Sequence, residues 1–139
     1  MGNGDSYVLD SFALIGYLEN EPFAQEIEGL LYRAKNNISR LYLHTLHLGE
    51  VYYITLREQG RDLADLAYSR IKSFPINFIY LIDEELLLAA ATLKANYSIS
   101  YADSFAAALA RIKNASLLTG DPEFRHLEKD EVLKLAWLD

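Results

Sequence analysis

The chain has 139 residues, 51% hydrophobic and 24% charged, which suits one soluble domain with a sizeable core and excludes a disordered chain. It has no cysteine, so disulfides, thiolate metal sites and a cysteine nucleophile are excluded. Its formal charge of -7 argues against the broad basic surface of many nucleic-acid binders, so any nucleic acid must be held by a local basic rim or by bound cations.

The first ten residues, MGNGDSYVLD, lack the basic and apolar stretches of a signal peptide, and no apolar run reaches the roughly 18 residues of a membrane span. A cytoplasmic protein without a membrane segment is expected. Tyr7, Val8 and Leu9 predict a strand that ends at Asp10, and Phe12, Leu14, Ile15 and Leu18 then recur at helical spacing. Pro22 predicts the start of a second helix, which Asn36-Asn37 closes. SRLYL, residues 39–43, reads as a second strand.

Thr45 to Glu58 predicts a long helix stopped by Gly60, and Asp62 to Lys72 another. INFIYLI, residues 76–82, reads as a buried strand, followed by a helix that Asp83-Glu84-Glu85 opens and that runs to about Asn96. Asp103 predicts the start of the next helix, SLLT (residues 116–119) a short strand, and VLKLAWL a final strand. Strands alternating with helices imply an α/β fold, a single domain over residues 1–139 with a mainly parallel sheet.

Ligands of such a sheet bind beyond the carboxyl ends of its strands. Asp10 and Asp121 both fall there, and either could simply cap the helix that follows. Glu50 lies within a helix, on the face of Leu46, Tyr53 and Ile54, where capping is impossible and pairing with an arginine is the ordinary alternative. Asp103 shares its face with Ala106, Ala107 and Ala110, whose small side chains let another chain approach closely. If the four carboxylates meet, they repel one another, and a hard divalent cation such as Mg²⁺ or Mn²⁺ is the natural compensation. His44 and His47, at i,i+3, raise zinc as another possibility, without an evident third ligand.

YVLDSFALIGYL, LHLGEVYYITLREQG and YADSFAAALARIKNASLLTGDPEF, in that order, resemble the PIN-domain nucleases, especially the VapC-like toxins of toxin-antitoxin pairs. Together they span residues 7–124. The resemblance implies a three-layer α/β/α domain with a sheet of about five strands in the order 3-2-1-4-5. It aligns Asp10, Glu50, Asp103 and Asp121 with the family's four catalytic, metal-binding acids, and Ser11 and Thr119 with its supporting polar residues. Phe124 aligns with the aromatic closing the last motif, whereas His47 stands where a Ser or Thr is common.

What the resemblance implies is a ribonuclease using one or two Mg²⁺ or Mn²⁺ ions and leaving 5′-phosphate and 3′-hydroxyl ends. It also implies a homodimer with a cognate antitoxin partner that blocks the acidic groove. A PIN-like module that binds protein or RNA without cutting it is the alternative. A receiver domain is disfavoured by the single Asp after the first strand and by GDPEF lacking a lysine, and a haloacid-dehalogenase-like enzyme by the missing second Asp beyond Asp10. Arg33, Lys35, Arg40, Arg57, Arg61, Lys94, Arg111 and Lys113 are candidates for a phosphate-binding rim, and Tyr101 or Tyr17 for base stacking. Phe23, Ile27, Leu30 and Leu31 fit either an interface or the core.

Overall fold

The strands are short and almost continuously apolar because the sheet they form is covered on both faces. The computed structural model describes residues 5–139. Its strands are β1 (Ser6–Leu9), β2 (Arg40–His44), β3 (Asn77–Ile79), β4 (Ser116–Thr119) and β5 (Lys134–Trp137). All neighbours pair in parallel, in the order β3-β2-β1-β4-β5, as the resemblance implies. The register sets Tyr7 opposite Leu41, Val8 opposite Leu117, Leu43 opposite Phe78 and Leu117 opposite Leu135.

The helices are α1 (Ser11–Leu18), α2 (Ala24–Lys35), α3 (Thr45–Gln59), α4 (Arg61–Lys72), α5 (Glu84–Asn96), α6 (Tyr101–Ile112) and α7 (Arg125–Lys129), with a 3-10 turn at Pro122–Phe124. Strand side chains alternate between the two faces. Val8 and Leu117 accordingly pack with Leu86, Leu93 and the buried residues of α6, while Leu9 and Leu118 pack with Leu14, Ile27, Val51 and Ile71. Thus α5, α6 and α7 cover one face and α1 to α4 the other. Phe23, Ile27, Leu30 and Leu31 are buried in the second layer, which resolves them as core.

Three local expectations change. Pro22 lies in a turn, and α2 begins at Ala24; its end at Asn36-Asn37 is as expected, with Asn37 at φ 60°. INFIYLI is not a buried seven-residue strand: only Asn77–Ile79 pair, at the sheet edge, and Leu81 is 78% exposed. There the carbonyl of Leu81 meets the His44 ring at 3.0 Å instead of a neighbouring strand. Asp103 does not open α6; Ser100 does, its hydroxyl accepting the Asp103 N–H at 3.0 Å. No described helix is long and apolar enough to cross a membrane.

Candidate acidic metal centre

Each acidic side chain is delivered by a different element, and the sheet order brings those elements together. β1 buries Val8 and Leu9 and stops at Asp10, which is 2% exposed and N-caps α1 by accepting the Ala13 N–H at 2.9 Å. β4 lies directly beside β1 and ends in the buried Thr119, so the loop that follows sets Asp121 next to Asp10. The Asp121 N–H donates to the Thr119 hydroxyl at 3.0 Å, and its carboxylate caps the 3-10 turn by accepting the Glu123 N–H at 2.9 Å. Having accepted from Asp121, the Thr119 hydroxyl turns its proton toward Asp10.

Asp103 is the third residue of α6, half-buried, with Asp121, Asp10 and Glu123 as its charged neighbours. Glu50 projects from the middle of α3 beside Ser11, the first residue of α1. Its presumed apolar stripe is not core: Leu46 and Tyr53 are exposed, and α3 buries His47, Leu48, Val51 and Thr55 instead. Oε1 of Glu50 is nonetheless buried and has no hydrogen-bond partner. The alanines of α6 do what small side chains permit, with Ala106, Ala107 and Ala110 fully buried against the sheet.

The electrostatics follow from burial and crowding. Burial pushes the Asp10 carboxyl up to about 7, aided by the charges of Asp121 and Glu50, while the Thr119 hydroxyl and Ala13 N–H pull it back. Asp103 is pushed up to about 8, first by burial and then by Asp121, Asp10 and Glu123. Glu50 also rises through burial, with the Ser11 hydroxyl opposing. Among the described residues the ion pairs are Arg33–Asp5 and Arg61–Asp65, so no base neutralises any of the four acids. Oxygens of Asp103, Asp121 and Glu123 lie within 4.8 Å of one another. Hard oxygen donors, raised carboxyl pKa values and an orphaned buried oxygen at Glu50 fit a Mg²⁺ or Mn²⁺ ion.

Glu123 is the acid that sequence reasoning missed. It stands two residues after Asp121, and the 3-10 turn folds it back so that its carboxylate also accepts the Ser100 N–H at 3.3 Å. The histidine pair is no zinc site. His44 offers Nδ1 to the Leu46 N–H at 3.1 Å and Nε2 to the Leu81 carbonyl, while Nε2 of His47 bonds the Ala102 carbonyl at 2.8 Å.

The candidate rim shrinks as well. Arg33, Lys35, Arg40, Arg111 and Lys113 cluster where strands begin or helices end, at the pole opposite the acids. Arg57, Arg61 and Lys94 are left. Arg57 lies over the Tyr53 ring, 5.3 Å from its centroid, and Lys94 donates to the Ile99 carbonyl just before α6. Tyr17 bonds Glu28 on α2, away from the acids, whereas Tyr101 is exposed two residues before Asp103.

The fold and this cluster define a parallel α/β protein with an acidic candidate metal centre at the carboxyl ends of its strands. The PIN domain family model matches residues 7–130, and the chain belongs to that family. No curated protein matches it in sequence. Its fold is that of VapC toxins. It superposes on VapBC2 from Rickettsia felis, solved with a fragment of promoter DNA, with TM-score 0.76 and 18% identity, covering 96% of this chain and 99% of that one. VapBC-1 from nontypeable Haemophilus influenzae gives 0.68 and 21%, covering 95% and 97%. VapC20 from Mycobacterium tuberculosis, described as a toxin cleaving the sarcin-ricin loop, gives 0.59 and 16%, covering 80% and 85%.

Proposed function

We propose that the protein is a Mg²⁺- or Mn²⁺-dependent endoribonuclease and the toxin of a VapBC-type pair. The observation that carries this reading is the gathering of Asp10, Glu50 and Asp103, all with raised pKa values, beside Asp121, with no basic partner among the described residues. Such a cluster is costly for folding and useful for holding cations. Membership of the PIN family supports it independently.

In this reading Asp10, Glu50, Asp103 and Asp121 hold one or two ions, directly or through water, and Ser11 and Thr119 orient the carboxylates of Glu50 and Asp10. When bound, the ion supplies a water of lowered pKa and offsets the charge that builds on the phosphate during in-line displacement. Near neutral pH the metal-free carboxyls of Asp10 and Asp103 retain protons in part and release them as the cation binds. Arg57, Arg61 and Lys94 draw the RNA backbone toward a protein of net charge -7, and exposed Tyr101 offers a face for a base. The products carry 5′-phosphate and 3′-hydroxyl ends.

A cognate antitoxin, a homodimer and a cytoplasmic site of action belong to the same proposal. Several structural neighbours are described as toxin-antitoxin complexes, which supports the first of these. The test is RNA cleavage with Mn²⁺ by the wild type, Asp10→Asn and Asp103→Asn. Both variants keep a side-chain oxygen for local hydrogen bonds but lose a charge, and should lose on the order of a hundredfold or more in rate. Equal rates in all three would sink the assignment to this site. A folded wild type that binds RNA and never cuts it would instead establish the binding-module alternative.

A further inference from the structure

We infer that His47 is a positioning residue: it fixes the first turn of α6, and so the Asp103 backbone, against the helix that carries Glu50. The inference rests on the metal-centre reading above but concerns a residue outside the acidic set.

His47 is 0% exposed and lies one turn before Glu50 on α3. Its Nε2 is 2.8 Å from the carbonyl of Ala102, the residue directly before Asp103. A carbonyl can only accept, so His47 carries its proton on Nε2 and donates it across the gap between α3 and α6. Nδ1 is buried and makes no well-aligned hydrogen bond, although the backbone of His44 is close enough to influence the ring. An unsatisfied buried nitrogen is a poor way to fill a core, whereas a single directed bond to one carbonyl is what an imidazole supplies and an aliphatic side chain does not. Burial pushes the ring down to about 4, which keeps it neutral over the range in which the acids titrate.

The neighbouring bonds explain why a tether is needed there. Besides the Ser100 cap and the burial of Ser104 and Phe105, the segment leading into α6 is tied to other elements by the 3.3 Å bond from the Ser100 N–H to Glu123 and by Lys94 on the Ile99 carbonyl. Glu123 is exposed, and its charge opposes that of Asp103. Asp10 and Asp121 repel a charged Asp103 as well. His44 anchors the start of α3, through Leu46 N–H on one ring nitrogen and the Leu81 carbonyl on the other, so α3 is a fixed support for His47 to pull against.

The test compares full-length wild type with His47→Leu, which removes the donor, and His47→Gln, whose amide N–H reaches toward the same carbonyl. Mn²⁺ binding is read by titration calorimetry, with metal-free thermal unfolding beside it. His47→Leu should bind Mn²⁺ roughly 10- to 100-fold more weakly, and His47→Gln should recover most of that loss; with RNA, the deficit should lie in kcat rather than KM. Wild-type affinity in His47→Leu, or equal weakness in both variants at equal stability, overturns the inference. If His47→Leu does not fold, nitrogen NMR of the wild-type ring decides: a proton on Nε2 supports the bond to Ala102, and one on Nδ1 overturns it. A wild type that binds Mn²⁺ but cuts no RNA would sink the nuclease reading while leaving the Leu and Gln comparison intact. A wild type that binds no Mn²⁺ would sink the metal reading, and this inference with it.

Discussion

The two ends of the sheet treat charge in opposite ways. At the amino ends of the strands, Arg33 pairs with Asp5 at 2.6 Å, Lys113 lies over the Tyr42 ring at 5.3 Å, and the Asn77 amide donates to the Leu41 carbonyl at 3.1 Å. At the carboxyl ends, Asp10, Glu50, Asp103 and Asp121 gather without a base among the described residues, and a buried oxygen of Glu50 has no partner among them. The first end pairs or stacks these groups, although Arg33 Nε and Ser39 Oγ are also buried without a partner there. The second leaves carboxylates desolvated beside like charges, a cost that persists where a site needs it for something other than folding. The crowding of unpaired carboxylates is the part of that contrast on which the proposed metal centre rests.

The largest test of that contrast is pH. A carboxyl whose folded pKa is raised binds more protons in the native state than in the unfolded one, so it destabilises the native state as pH rises from the unfolded pKa through the folded one. For Asp10 and Asp103 that window runs from about 4 to about 7 and 8. His47, depressed to about 4, acts in the other sense, losing stability as pH falls below the ordinary histidine value. Between pH 6.5 and 8.5 native His47 stays neutral, and metal-free stability should fall by on the order of 2 kcal/mol, about 1 kcal/mol of it through Asp10, whose folded pKa lies near the bottom of that range, and the rest through Asp103, discounted for its partial exposure to solvent. Saturating Mn²⁺ should flatten or reverse the slope. Denaturant unfolding at the two pH values, with and without Mn²⁺, checks this; a metal-free protein no less stable at pH 8.5 would break the comparison.

Next in size is Gly120, between Thr119 and Asp121. A Cβ there would stand 2.5 Å from a Phe12 ring carbon and 3.1 Å from the Leu138 carbonyl, so something must shift. Gly120→Ala should cost on the order of 1–3 kcal/mol and displace the loop that holds Asp121, weakening Mn²⁺ binding as well. Phe12 is 40% exposed, so adding Phe12→Ala should recover part of the loss. Additive losses in the double variant would show that the ring is not what constrains the loop.

How much of this was legible beforehand depended on whether a signal was local. Tyr7 to Asp10 reads as a strand ending in an acid because burial on both faces demands an unbroken apolar run, and Asp10 caps α1 as its position suggests. INFIYLI misleads because seven apolar residues say nothing about how many find a pairing partner, and the edge strand uses three. Asp103 reads as the start of α6 only if its own charge is weighed as the cap, whereas Ser100, three residues earlier, carries the capping signal. Glu123 escaped because only the 3-10 turn bends it back to the Ser100 N–H. The meeting of Asp10 with Asp121 is a product of β1 and β4 lying side by side, which no single segment encodes and which the family resemblance supplied.

The smallest effect belongs at the amino end and serves as the control. Arg33 and Asp5 are both half-exposed, with side chains 42% and 39% accessible, so their pair gains only modest Coulomb energy against solvent and the entropy of holding two side chains. Arg33→Ala should therefore cost at most about 1 kcal/mol in thermal unfolding, a loss that added salt diminishes. Because Asp5 precedes β1 while Asp10 follows it, the variant leaves the acidic end untouched and should bind Mn²⁺ with wild-type affinity. A loss of Mn²⁺ binding in Arg33→Ala would mean that the two ends are coupled through β1, and the separation of a structural pole from a functional one would fail.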